Sequence, residues 1–196
     1  MPQEDRLARD TLFVMATRAE YLDALRARID PFVCGVGPVE AAVAVTRHLA
    51  QRERLPDLVV SLGSAGSATL EQAGVYQASS VSWRDMDASP IGFARGETPF
   101  ADLPIALPLE TPLEVPAARL STGANIVSGE AYGAIDADMV DMETFAVKRA
   151  CMAFDVPVMS LRGISDGAEP VRRYADWSQA LPEIDRRLAE AIEPLL

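Results

Sequence analysis

The sequence is poor in the residues that build metal centres, cross-links and catalytic imidazoles. One histidine and two cysteines occur in 196 residues, with no CxxC spacing and no His cluster. A disulfide framework and a metal site therefore lack material. Cys34 and Cys151 lie far apart in apolar surroundings and read as buried, reduced thiols. His48 falls near the end of a helical pattern with charges at 47, 52, 53 and 54, and reads as solvated. Positive charge is also short: 18 Lys and Arg against 29 Asp and Glu leave a formal charge of −11. That balance repels a phosphate backbone and an anionic lipid surface, so neither nucleic acid nor membrane is expected as a partner. No apolar run approaches the ~20 residues a bilayer span needs. Residues 1–10 mix both signs of charge without an apolar core, which reads as a polar N-terminal extension and places the expected location in the cytoplasm.

What is present suits one globular domain over residues 1–196: 49% hydrophobic and 24% charged residues, with 14 Pro and 12 Gly. A chain of this length buries roughly 70% of the surface its unfolded form exposes, enough for a core without staples. Short β-branched runs alternate with longer helical patterns, the signature of an α/β fold with a largely parallel sheet. Strands are expected at 11–16, 32–34, 58–62, 75–83, 120–127, 139–142 and 156–161. Helices are expected at 20–29, 38–52, 129–135, 143–154 and 177–192. Residues 63–67 (GSAGS) read as a small-residue loop where backbone can approach a ligand. Residues 85–116, rich in Pro, Gly and Asp, read as a long loop system of functional or interface type.

Ligands of open α/β sheets bind beyond the carboxyl ends of the strands, and three acids follow buried strands there. Glu20 follows the first, Glu143 the run at 139–142, and Asp166 the run at 156–161. Parallel strands would bring all three to one rim with the 63–67 loop. Each acid also fits a bland reading: Glu20 and Glu143 as first-turn acids favoured by a helix dipole, and Asp166 as an N-cap.

Four motifs in order, SLGSAGS at 61–67, NIVSG at 125–129, VDMET at 140–144 and RGISD at 162–166, resemble the 5′-methylthioadenosine/S-adenosylhomocysteine nucleosidases of the nucleoside phosphorylase superfamily. GVGPVEAA at 35–42 and the segment 16–20 add to the likeness. The resemblance implies a three-layer α/β/α fold around a central twisted mixed sheet. It also implies hydrolysis of the N-glycosidic bond of an adenine nucleoside, with no cofactor and no metal. Adenine leaves poorly as an anion, so a carboxylic acid must protonate N7, and Asp166 matches that acid, with Ser165 to orient it. Glu143 matches the carboxylate on the ribose hydroxyls, beside Met142 on the sugar face. Glu20 matches the base that activates water, although Thr17 replaces a usual Met and a one-residue slip puts Tyr21 there instead. The same likeness places Tyr132 against the purine, Trp177 as a cover, Arg162 behind Glu143 or the acid loop, and Ser64, Ala65, Gly66 and Val127 against the substrate. It implies a homodimer whose segments 84–87 and 90–93 reach the neighbouring subunit.

Two other functions remain open on this reading. A phosphorylase would need cationic donors for phosphate, and the segments 35–38 and 63–67 contain no Lys or Arg. An inactive nucleoside-binding protein would be expected to have lost one of the three acids.

Overall fold

The computed structural model describes residues 10–167 and 169–196, so the expected N-terminal extension, apart from Asp10, lies outside the described residues. The first strand, β1 (Thr11–Met15), pairs in parallel with β2 (Phe32–Val33) on one side and β3 (Leu58–Gly66) on the other. Beyond β3 the sheet closes on itself. β8 (Val158–Asp166) runs parallel to β3 and antiparallel to β4 (Val75–Trp83); β4 is parallel to β6 (Ala117–Thr122), and β6 to β7 (Met139–Asp141). β7 returns to β3 through one antiparallel pair, Gly66 with Val140. A short β5 (Ala106–Pro108) edges β4.

Helices cover both faces, which makes the expected three layers, and the strand alternation decides which side chain meets which layer. Val14, Val59 and Val158 point to one core with Ala41, Val45 and Leu49 of α2 (Pro38–Ala50) and Val147 and Cys151 of α3 (Thr144–Met152). Phe13, Met15, Val60, Leu62, Met159 and Leu161 point the other way, onto Leu25 of α1 (Asp23–Arg26) and Ile184 and Leu188 of α5 (Leu181–Ala191). Strands buried on both faces are why these runs are apolar throughout instead of alternating. The i, i+4, i+8 spacing of Ala41, Val45 and Leu49 is the buried stripe of an amphipathic helix, and Pro38 occupies its first turn. Asp185 of α5 is buried, and its carboxylate accepts the N–H groups of Leu22 (3.0 Å) and Ala24 (2.8 Å), which caps α1 from a distant part of the chain.

Several expectations are corrected. The 63–67 segment is not a loop: residues 63–66 continue β3, and residues 162–166 likewise continue β8, because each strand pairs with the other to its end. β6 stops at Thr122, five residues short of the expected end. The segment expected as a helix from 20 to 29 holds a 3-10 turn, Arg18–Glu20, and only four residues of α1. The closing helix breaks at Gln179 and Ala180, so Trp177 belongs to a separate α4 (Tyr174–Ser178). His48 is not simply solvated, since its ring stacks on Phe32 with centroids 4.2 Å apart. Both cysteines are buried and free, and burial pushes each thiol up to about 12.

Candidate active site

The carboxyl ends of β1, β3 and β8 meet at one rim, and the return of β7 to β3 brings a fourth strand end there without parallel pairing. A cavity of about 380 Å³ opens at this junction and is lined by Glu20, Glu143 and Asp166 together. Volumes of this order hold a small organic ligand.

Glu20 is carried by the Arg18–Glu20 turn, whose start is capped by Thr17 Oγ1 accepting the N–H of Ala19 at 3.2 Å. Its carboxylate is buried and accepts from Ser64, from the backbone N–H at 2.9 Å and from Oγ at 2.5 Å. Trp177 Nε1 in turn donates to Ser64 Oγ at 2.9 Å. Glu20, Ser64 and Trp177 therefore form one chain from three distant parts of the sequence. Tyr21, the alternative at this position, is turned away: it packs in the α1 and α5 core and its hydroxyl donates to the Ile29 carbonyl at 2.5 Å. Behind Glu20 and Glu143 lies a second, polar cavity of about 10 Å³, also lined by Ser64 and Arg162, with room for roughly one water.

Glu143 sits just ahead of α3 and accepts the N–H of Gly37 at 2.8 Å. Burial pushes its carboxyl up to about 7, and the charge of neighbouring Asp141 adds to the rise. Arg162 does not pair with Glu143 and does not line the larger cavity. Its guanidinium is buried beneath it, donating to Asp141 Oδ2 (2.8 Å), Ser61 Oγ (2.9 Å), Thr144 Oγ1 (2.7 Å) and the Ser61 carbonyl (3.1 Å). It is a floor residue that fixes the end of β7 against β3; it lies behind the cavity as expected, but its partner is Asp141 and not Glu143.

Asp166 owes its aim to a bulge. The register of β3 on β8 jumps from Ala65 with Ile164 to Gly66 with Asp166, leaving Ser165 as the extra residue, and such insertions re-aim a strand's side chains. Ser165 Oγ donates to Asp166 Oδ1 at 2.5 Å. Burial raises the Asp166 carboxyl above its usual range, against that hydrogen bond. Gly167 follows at φ +129°, where a Cβ would collide with the backbone of Ser67, so only glycine lets the chain leave the strand here.

The other expected residues divide. Ser64, Ala65, Gly66, Val127, Met142, Ser165 and Trp177 line the cavity. Tyr132 does not. It lies in a 3-10 turn, Gly129–Ala134, outside the cavity lining, whereas Asn125, Ile126 and Val127, after the true end of β6, line the cavity. Ile126 is 68% exposed, an apolar face offered to the cavity. A strand boundary drawn at Thr122 would have found these residues by the same carboxyl-end rule. Arg84, just after β4, also lines the cavity and was missed. Its guanidinium donates to the carbonyls of Ser121 (2.6 Å), Asp141 (2.9 Å) and Asn125 (2.7 Å), binding three strand ends together. Among the described residues, no three His, Cys, Asp or Glu side chains converge to hold a metal ion.

Known proteins resemble this chain in sequence and in fold. The family described as the phosphorylase superfamily matches over residues 115–196. The 5′-methylthioadenosine/S-adenosylhomocysteine nucleosidase of Haemophilus influenzae (strain PittEE) is 29% identical over 154 residues, covering 69% of this chain and 66% of that protein. That of Staphylococcus aureus (strain MRSA252) is 29% identical over 153 residues, covering 67% and 65%. The match thus spans just under two thirds of those relatives' lengths. Among solved structures, a nucleosidase of the same name from Colwellia psychrerythraea 34H, in complex with adenine, superposes with a TM-score of 0.76 at 20% identity, covering 94% of this chain and 95% of that one. The futalosine hydrolase of Helicobacter pylori strain 26695 superposes with a TM-score of 0.79 at 18% identity, covering 94% and 96%. The resemblance carried by the motifs is borne out, and the chain has the fold of these enzymes.

Proposed function

We propose that the protein hydrolyses the N-glycosidic bond of 5′-methylthioadenosine, S-adenosylhomocysteine or both, releasing adenine and the thioribose product. The observation that carries this reading is the convergence of Glu20, Glu143 and Asp166 on one cavity from separate strand ends. Asp166, its carboxyl raised by burial, holds a proton to deliver to N7 of the purine as the bond breaks. The base lies along Asn125, Ile126 and Val127. Glu143 receives the ribose hydroxyls and stabilises the positive charge that develops on the sugar, beside the Met142 thioether. Glu20, held by Ser64, takes a proton from the water that attacks the anomeric carbon. One water enters; its hydroxyl goes to the sugar, and adenine leaves with the proton from Asp166.

Hydrolysis is favoured over phosphorolysis because, among the described residues, Arg84 is the one cation lining the cavity, and its terminal nitrogens are already engaged with three carbonyls. A phosphate would find no cluster of free donors. The reading includes a homodimer in the cytoplasm, with residues 84–87 and 90–93 helping to wall the 5′ end of the substrate in the neighbouring subunit. Ile91 and Phe100, exposed by 72% and 94%, support such a covered face. Sedimentation at micromolar concentration should give twice the chain mass.

The test is incubation with methylthioadenosine in phosphate-free and phosphate-containing buffer, following free adenine, with adenosylhomocysteine and other 5′-substituted adenosines run in parallel. Equal release in both buffers is expected. Release that requires phosphate would overturn hydrolysis, and no release from any of these nucleosides would overturn the nucleosidase reading.

A further inference from the structure

We propose that Tyr132 is a positioning residue for Asp166: its phenol donates a hydrogen bond to Oδ2 of Asp166 as that oxygen gives up its proton, opposite the bond that Ser165 makes to Oδ1. The proposal rests on the reading of Asp166 as the general acid and adds a member to its machinery.

Two independent features of the structure meet at this point. Tyr132 Oη is buried and has no hydrogen-bond partner among the described residues. Buried polar groups are almost always satisfied, so an orphaned hydroxyl asks for a partner that appears in another state of the molecule. The second feature is Gly66. A Cβ built there would collide with Tyr132 Oη and lie 3.1 Å from Asp166 Oδ2. The phenol and the free carboxyl oxygen thus converge on one spot, and the missing side chain of Gly66 is what leaves room for both. On the other side of the carboxyl, Oδ1 is engaged by Ser165, whereas Oδ2 accepts no hydrogen bond from the described residues.

The chemistry fits the geometry. While Asp166 is protonated, its Oδ2–H points to the purine and has no need of a donor. Once the proton has moved to N7, a carboxylate remains in a site where burial disfavours charge. A neutral donor poised beside it stabilises that later state and not the earlier one, which is the condition for lowering a barrier. The phenol keeps its proton throughout, because burial and then the Asp166 charge raise it above its ordinary value. Catalytic hydrogen bonds are often long before substrate binds and tighten in the complex. Tyr132 lies outside the cavity lining, so it reaches the substrate only through Asp166.

The test replaces one oxygen, with Tyr132→Phe, and follows the Asp166 carboxyl by ¹³C NMR across pH in wild type and variant, the resonance being assigned from Asp166→Asn. The other ionisable groups on the cavity are Glu20, Arg84, Asp141, Glu143 and Tyr174, and they are the same in both proteins; Arg84 also acts electrostatically on Tyr132. Loss of a donor to the carboxylate should move the Asp166 midpoint up by about half to one pH unit. In turnover, kcat should fall about 5–10-fold at little change in KM, and its alkaline limb should move up with the midpoint. A midpoint unchanged within 0.2 pH unit (roughly the precision of such titrations) overturns the proposal, because a merely structural tyrosine would leave it in place. Failure of the wild type to release adenine from any nucleoside overturns the functional reading instead, since the carboxyl titration does not depend on turnover.

Discussion

Asp141 and Glu143 stand two residues apart at the end of β7, and the structure drives their protonation in opposite directions. Burial works against the charge of each. At Asp141 it is outweighed by the Arg162 guanidinium and by hydroxyls of Thr122 and Thr144, so the carboxyl is held below its usual range. At Glu143 the help is one backbone N–H from Gly37, while Asp141 and Glu20 add negative charge, and the carboxyl rises to about 7. Asp166 resembles Glu143, buried with one hydroxyl for company. Among the described residues the one fully buried arginine, Arg162, lies under the acid that joins strands, and Glu143 and Asp166 are left short of positive charge. Perturbed carboxyls of this second kind mark sites of chemistry more often than sites of stability.

Removing the proposed proton donor should have the largest effect on the cavity side of this comparison. Asp166→Asn is expected to bind substrate while losing about 10²–10⁴-fold in turnover, measured by adenine release; an undiminished rate removes Asp166 from the mechanism. On the structural side, Arg162→Met leaves Asp141 charged and unpaired in the floor. A loss of about 3–5 kcal/mol is expected in urea denaturation, with much of it recovered when Asp141→Leu is added, since the penalty belongs to the stranded charge. No recovery would mean that Arg162 acts mainly by packing.

Glu143→Gln sharpens the contrast through pH. The folded carboxyl holds its proton up to about 7, whereas the unfolded one releases it near 4.5, so wild-type stability falls as pH rises between those values and stays lower above them. The variant carries no such loss. It should match wild type near pH 4.5 and exceed it at pH 8 by about 1–3 kcal/mol, read from denaturation midpoints, while turnover falls. An offset that does not change with pH would show that Glu143 ionises normally. The smallest effect is expected from Trp177→Phe, which removes the donor to Ser64 and loosens Glu20. A 2–5-fold fall in kcat/KM, about 1 kcal/mol or less, is the order of one neutral hydrogen bond. A larger fall would make Trp177 a substrate contact in its own right.

The strands that carry these acids were legible because burial on both faces writes itself into sequence as unbroken apolar runs, and Thr11–Met15 and Leu58–Gly66 are where such runs lie. Glu20, Glu143 and Asp166 were legible because three acids that follow buried strands coincide with the family-like motifs, although each taken alone also fits a helix-dipole or N-cap reading. Tyr132 and Arg162 were misplaced for different reasons. The end of β6 at Thr122 is set by its partners β4 and β7, and no local signal separates the ladder from the equally apolar residues 126 and 127. Arg162 reads as a polar residue after a strand, but pairing with β3 carries that strand through it and turns its side chain into the floor.

Local order along the chain therefore determined the α/β class, the identity of the three acids and the small residues around them, since periodicity and residue type act over a few positions. Closure of the sheet from β3 through β8, β4, β6 and β7 decided the rest: which acid is paired with a cation and held low, which acids burial pushes up, and which segment flanks the cavity. Those outcomes depend on distances between residues as far apart as Asp141 and Arg162 or Ser64 and Trp177. Electrostatic and hydrogen-bond energies follow separation in space, and folding alone sets it.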